Sequence, residues 1–331
     1  MQPLVSILVP LFNAERWIGD TLESALSQTW QNKEVIVVDD GSTDRSLEIA
    51  RRYESETLKI ITQENRGCSA AKQTALENCN GAFVQYLDAD DLLSENKIEA
   101  QMKVLSDAPE KVSVCRTVFF FDGENHANRE PPDEWYLYDA DDPAEFLINL
   151  YGGNGRAGMI SSNAYLTSRE LAEKAGGWDL TISPSPDEDG EYFCRVVLAS
   201  GGIRFMPTAF NYYRKHRNGK NLSHLRSPAS MRGALKSLDL ITSHLLTATN
   251  DVRAKRAMAR NYLECAYIAY PDFPDVSEAA FKRVEELGGT DYVPSVGGWK
   301  GRAIHNLFGW KMARTIGVKG RRVLAALAKE Q

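Results

Sequence analysis

Apolar and β-branched residues in the first ninety positions gather into short runs: Val5–Pro10, Glu34–Val38, Leu58–Thr62 and Phe83–Leu87. Runs this short, with little polar alternation, predict strands covered on both faces. Between them apolar positions recur at helical spacing. Trp17, Ile18, Leu22, Ala25 and Leu26 form one stripe, and Leu47, Ile49, Ala50 and Tyr53 a second. A third helix is expected over Ser69–Asn78, closed by Asn80-Gly81. Asn13 is the expected cap of the first helix and Ser42 or Thr43 of the second. Strands alternating with helices over short connections predict an α/β fold with a mostly parallel sheet and helices on both faces.

The pattern then loosens. Lys111–Phe121 and Ile160–Leu166 read as strands, His126–Asp142 as a long loop, and Gly152–Gly158 as a flexible stretch. Ser168–Ala175 and Glu188–Ser200 have helical spacing, each stopped by a Gly-Gly pair. Beyond about residue 225 only helical periodicity remains, over Ser230–Thr247, Asp251–Tyr270, Val276–Leu287 and a basic stretch from about Arg302. The expected division is therefore 1–225, holding the sheet, and 226–331, a helical C-terminal region.

Charge and cysteine usage narrow the function. A formal net charge of -6 disfavours general nucleic-acid binding, which needs a positive footprint. The five cysteines, Cys68, Cys79, Cys115, Cys194 and Cys265, show no CxxC spacing, so neither a disulfide framework nor a zinc site is expected. The start lacks the basic n-region of a signal peptide, and no stretch is apolar enough to span a membrane. A cytoplasmic protein is the expectation.

The polar clusters fall at the carboxyl ends of the predicted strands, where ligands bind in such sheets. Asn13 follows the first strand, Asp39 and Asp40 the second, and Asp88, Asp90 and Asp91 the fourth. Carboxylates crowded beyond a buried strand need neutralising, and a hard divalent cation would do that; alone, such a cluster is more often an acidic turn that caps a helix. Asp39 and Asp40 could accept hydrogen bonds from a base or ribose, with Gly41 allowing a close turn. Arg66, and more weakly Lys72, could reach a diphosphate.

Taken in order, V-S-I-L-V-P-L-F-N, S-x-x-x-Q-T, V-V-D-D-G-S-T-D-x-S, N-R-G-x-S-x-A and F-V-Q-Y-L-D-A-D-D resemble the family 2 glycosyltransferases of the GT-A fold, a Rossmann-like architecture. The resemblance implies that Pro10, Phe12, Asn13, Asp39 and Asp40 cradle a nucleoside. It implies that Asp88 approaches the ribose, Asp90 binds the metal and Arg66 lies near the diphosphate. Gly176-Gly177-Trp178-Asp179 is similar to the family's G-G-F-D, and Glu188-Asp189-Gly190-Glu191 to the start of its E-D-x-D motif. That selects Asp189 as catalytic base, with Glu188 and Trp178 as further candidates. Tyr212–His216 with Asn221-Leu222-Ser223 resembles a later segment whose Arg214 or His216 could meet phosphate or metal.

The expected activity is inverting, metal-dependent transfer of a sugar from a nucleotide-diphosphate donor, a UDP-sugar first among them, to an acceptor hydroxyl. The cofactor would be Mn²⁺ or Mg²⁺. The acceptor would be a glycan, a lipid-linked species or a polysaccharide precursor, with Trp135, Tyr136, Tyr138 and Trp178 either stacking on it or packing internally. A non-catalytic binding protein or a sugar nucleotidyltransferase are the rivals; the second usually shows a Gly-rich loop where this chain reads VPLFNAERW. The tail carries Lys300, Arg302, Lys311, Arg314, Lys319, Arg321, Arg322 and Lys329 against Glu330 alone. It reads either as a solvated helix or as an amphipathic contact with the inner face of the membrane.

Overall fold

The computed structural model describes residues 2–216, 226–294 and 299–327, with backbone only at 299–302, 305–306 and 320–327. The first half alternates as expected: β1 (Val5–Leu11), α1 (Ile18–Leu26), β2 (Lys33–Asp39), α2 (Ser46–Arg51), β3 (Leu58–Thr62), α3 (Cys68–Glu77) and β4 (Phe83–Tyr86). Every residue of β1 is buried, because helices cover both of its faces. These strands pair in parallel in the order β3-β2-β1-β4. Chain order reverses about β1, which opens a crevice beyond the carboxyl ends of β1, β2 and β4.

The second half is mixed. β5 (Leu92–Leu93), α4 (Lys97–Leu105), β6 (Val112–Phe121), α5 (Pro143–Leu150), β7 (Tyr165–Ser168), α6 (Arg169–Ala175), α7 (Glu188–Ala199) and β8 (Ile203–Lys215) follow. They extend the sheet to β3-β2-β1-β4-β7-β6-β8-β5, antiparallel at β4-β7, β7-β6 and β8-β5 and parallel at β6-β8. The sheet is mostly parallel, as expected, and its short antiparallel pairings all involve strands of the second half. The register of β6 against β8 slips between Cys115 and Arg116, and Glu134 of the following loop accepts the Thr117 N–H just beyond the slip.

Several local expectations shift. The strand placed at Ile160–Leu166 begins only at Tyr165, after a 3₁₀ turn over Ser162–Ala164. Asn13 does not cap α1, whose first residue is five positions on. It sits at φ 49° and accepts the Thr43 N–H across the crevice. Neither Ser42 nor Thr43 caps α2; the Ser46 N–H at its start donates to Asp44 instead. Asp91 caps nothing, for α4 starts six residues later.

Among the described residues the chain is helical from residue 228: α8 (Pro228–Ala248), α9 (Val252–Ala269), α10 (Pro274–Glu286) and α11 (Trp299–Leu327). Their apolar faces join the core beneath the sheet, where Leu238, Ile241, Met258 and Tyr262 cluster with Tyr192 and Val196 of α7 and Val114 of β6. Asn221-Leu222-Ser223 lies outside the described residues. No helix among those described is long and apolar enough to cross a membrane.

Glu34, at the start of β2, ties three segments together. It accepts from Ser6 Oγ at 2.6 Å, from the Asn80 N–H at 2.6 Å and from Asn80 Nδ2 at 3.2 Å. Burial alone would raise its pKa, but the hydrogen bonds from Ser6, Asn80 and Gly81 outweigh that and lower it. A depressed carboxyl stabilises the fold above its unfolded value and loses that contribution as pH falls through the folded value. Glu34→Gln is expected to cost about 1–3 kcal/mol at neutral pH. Denaturant titrations should show the difference shrinking as the pH falls below the ordinary glutamate range.

Candidate active site

Beyond β1, Phe12 projects half-exposed from the strand end, while Pro10 remains inside the β1–β2 ladder opposite Val38. The two acids ending β2 divide their work. Asp39 is 3% exposed, and its Oδ1 has no hydrogen-bond partner among the described residues. A buried acceptor left open at a strand end suits an incoming N–H or hydroxyl. Asp40 is engaged internally. It accepts from Gln63 Nε2 at 2.7 Å and from the Arg66 and Gly67 N–H groups at 2.9 Å each, so it shapes the Asn65–Gly67 turn. Gly67, at φ 92°, would push a Cβ to 2.6 Å from Ser183 Oγ, and Arg66 is left exposed on the rim.

The turn after β4 is bolted in place. Thr21 Oγ1 donates to the carbonyls of Ala89 and Asp91 at 3.0 and 2.9 Å. Asp91 is 2% exposed and accepts the Arg214 N–H at 2.7 Å and Asn163 Nδ2 at 2.6 Å. Burial pushes its carboxyl well above the ordinary range, with Asp90 and Asp88 adding to the effect. Asp91 therefore welds the turn to β8. Arg214 is likewise structural: its Nε donates to the Asp90 carbonyl at 2.8 Å, and its guanidinium lies 4.6 Å over Phe120 and pairs with Asp122. It is only 5% exposed and braces the turn from β8.

Asp90 is left to face the crevice. His216 Nε2 meets its Oδ2 at 2.6 Å, and the imidazole packs on Trp17 with ring centres 4.3 Å apart. No group of three or more His, Cys, Asp or Glu suited to a metal occurs among the described residues. Asp90 and His216 are thus a pair, one carboxylate and one imidazole. That donor set fits a divalent ion that keeps waters and takes further oxygens from a phosphate.

Lys72, only a weak candidate in the sequence, is the centre of the site. It lies inside α3, 2% exposed, and its Nζ contacts Asp189 Oδ1 at 2.6 Å and Asp88 Oδ1 at 3.3 Å. Burial would lower its pKa; Asp189 and Asp88 more than offset this and hold it well above the ordinary lysine value. Asp88 is raised by burial and by Asp189 and Asp90, against the pull of Lys72. Asp189, in the first turn of α7, keeps a side chain 37% exposed. Its neighbour Glu188 points inward and accepts the Ser69 and Ser185 N–H groups at 3.1 and 2.9 Å. Glu188 therefore fixes α7 against α3.

Trp178 is packing. Its ring stacks on Tyr192 at 4.1 Å, its Nε1 donates to the Tyr86 hydroxyl at 2.9 Å, and Lys72 Nζ lies 4.9 Å from its centre. Tyr136 and Tyr138 are tied by hydrogen bonds to Met159 and Asn149, while Trp135 lies partly exposed beneath Arg156. The sequence reading missed Asp122 and Asn163. Asp122 follows β6 directly and receives Arg16, Trp17 and Arg214; an acid directly before Gly123 just past a strand end was its one visible signal.

Lys72→Met would leave two carboxylates facing each other without their cation. Breaking a buried pair costs about 3–5 kcal/mol, and partial solvation of both aspartates reduces the expected loss here to about 2 kcal/mol. Equilibrium unfolding measures it.

Residues 6–165 match the family described as glycosyl transferase family 2. The glycosyltransferase GlyA of Streptococcus pneumoniae is 32% identical over 149 residues, 44% of this chain and 21% of that protein. The putative teichuronic acid biosynthesis glycosyltransferase TuaG of Bacillus subtilis is 38% identical over 107 residues, 31% of this chain and 42% of the relative. The chain thus spans less than half the length of these curated relatives. Residues 1–349 of S. aureus TarS, in a crystal structure with UDP-GlcNAc, superpose with a TM-score of 0.68 at 19% identity, covering 97% of this chain and 92% of that one. The GT-A-type fold expected from the sequence is the fold found, and residues 6–165, just under half of the chain, match glycosyl transferase family 2.

Proposed function

We propose that this protein is an inverting glycosyltransferase that moves a sugar from a nucleotide-diphosphate donor to an acceptor hydroxyl. The observation that carries this reading is the bridge through Lys72, which brings Asp189 of α7 and Asp88 of the β4 turn to one cation. A base candidate from one half of the chain thereby faces the donor end of the other half.

In this reading the nucleoside lies over the ends of β1 and β2, with Phe12 against the base and the open Oδ1 of Asp39 accepting from it. Asp88 and Arg66 lie on the ribose and diphosphate side. The fold likeness to TarS, crystallised with UDP-GlcNAc and with UDP, supports a UDP-sugar. Asp90 and His216 would hold Mn²⁺ or Mg²⁺, which when bound offsets charge on the departing diphosphate. Asp189 takes the proton of the acceptor hydroxyl as its oxygen bonds to the anomeric carbon and the bond from that carbon to the diphosphate breaks. One displacement from the opposite face inverts the centre. The likeness to TuaG, named for teichuronic acid biosynthesis, supports a polysaccharide precursor as acceptor.

Two measurements check this. A thermal-shift screen of nucleotide sugars with Mn²⁺ or Mg²⁺ should give a donor whose shift needs the metal and disappears in Asp90→Asn; no shift with any donor would favour a non-catalytic scaffold. With the donor in hand, Asp189→Asn should bind it unchanged yet transfer at least about a hundredfold more slowly, and parental turnover would remove Asp189 as the base.

A further inference from the structure

We propose that the outer face of α11 is a docking surface for an anionic lipid bilayer, on which the protein lies peripherally. The helix has two faces, and the structure shows what each meets. Gly309, at φ 78°, breaks it into two segments. In the second segment Trp310, Ala313, Arg314 and Val318 face the body. The Trp310 ring lies 5.5 Å from Tyr270, 6.1 Å from Tyr267 and 6.3 Å from Phe281. Arg314 donates to the carbonyls of Tyr270 and Ile268, and Ala313 and Val318 are 4% and 9% exposed. This contact fixes which way the helix turns.

Among the described residues the opposite face has no such cover. Met312 and Ile316, one turn apart, are 47% and 48% exposed, and Leu307 and Phe308 before the break are 75% and 67% exposed. Four of the nine large exposed apolar side chains of the described protein therefore concentrate within ten residues of one helix, where scattered single ones would need no explanation. Lys311 and Lys319, both exposed, flank Met312 and Ile316.

Charge decides the occupant. From Trp299 onward the sequence has eight Lys and Arg against Glu330 alone, in a chain whose formal net charge is -6. A second copy meeting this face with its own would set cation against cation, which specific interfaces avoid. An anionic lipid surface accepts both features: cations at the headgroups and apolar side chains at the acyl boundary. A helix lying in the surface, and not crossing it, matches the absence of any spanning helix among the described residues. The contact stands whatever sugar the crevice takes.

The test is co-sedimentation of the full chain with two vesicle types, phosphatidylcholine alone and phosphatidylcholine with about one third phosphatidylglycerol. Binding is expected to the second only, and to weaken as salt is added. The quadruple variant Leu307→Ser, Phe308→Ser, Met312→Ser, Ile316→Ser and the double variant Lys311→Glu, Lys319→Glu should each lower binding at least about tenfold, with circular dichroism and melting unchanged. Because the charge variant leaves all four exposed apolar side chains in place, it tests the proposal even if the quadruple variant misfolds. Equal sedimentation with and without anionic vesicles would overturn the proposal. So would a protein that is oligomeric by sedimentation velocity and becomes monomeric in these variants, since that would assign the face to a second copy.

Discussion

A lysine ammonium buried between two carboxylates organises this molecule. Lys72 reaches the site from inside α3, an element of the parallel half-sheet, and engages both Asp88 beyond β4 and Asp189 at the start of α7. A buried cation without partners is costly, and these two offset that cost only while α3, the β4 turn and α7 keep their relative positions. Glu188 reinforces the arrangement through Ser69 and Ser185. The stack of Trp178 on Tyr192 floors it, with Tyr86 hydrogen-bonded to the indole. The polar site and the aromatic core below it are thus a single construction.

The acidic turn after β4 shows how three aspartates within four residues acquire three roles. Asp91 is buried and saturated by Arg214 and Asn163, so it anchors. Asp88 faces Lys72. Asp90 meets the crevice with His216 beside it. The division follows from which neighbours each side chain reaches, and like charges this close require it, because three adjacent carboxylates cannot all remain ionised without partners.

Much of this was readable in the chain. The four parallel strands of the first half, the placement of Asp39, Asp40, Asp88 and Asp90 at strand ends, and the helical character beyond residue 228 follow from short apolar runs and 3.6-residue spacing, which are local signals. The second half was harder. β7 pairs through only Phe83–Ser168 and Val84–Thr167 on one side, and β8 runs long with a slipped register against β6, so neither leaves a clean period. The burial of Arg214 and Trp178, two of the further candidates, could not be read from their motifs, because a motif does not reveal burial.

The sequence by itself determined the element order of the first half, the family resemblance, and which residue types collect at the carboxyl edge of the sheet, because strand and helix periodicity and motif spacing are properties of neighbours along the chain. Only the tertiary structure decided which of those residues face the crevice and which brace it. Lys72 and Asp189 are more than a hundred residues apart, as are Asp91 and Arg214, and no local pattern carries the information that each pair will meet. Those meetings are set by the packing of α7 against α3 and of β8 beside the β4 turn, where a buried charge must find its partner.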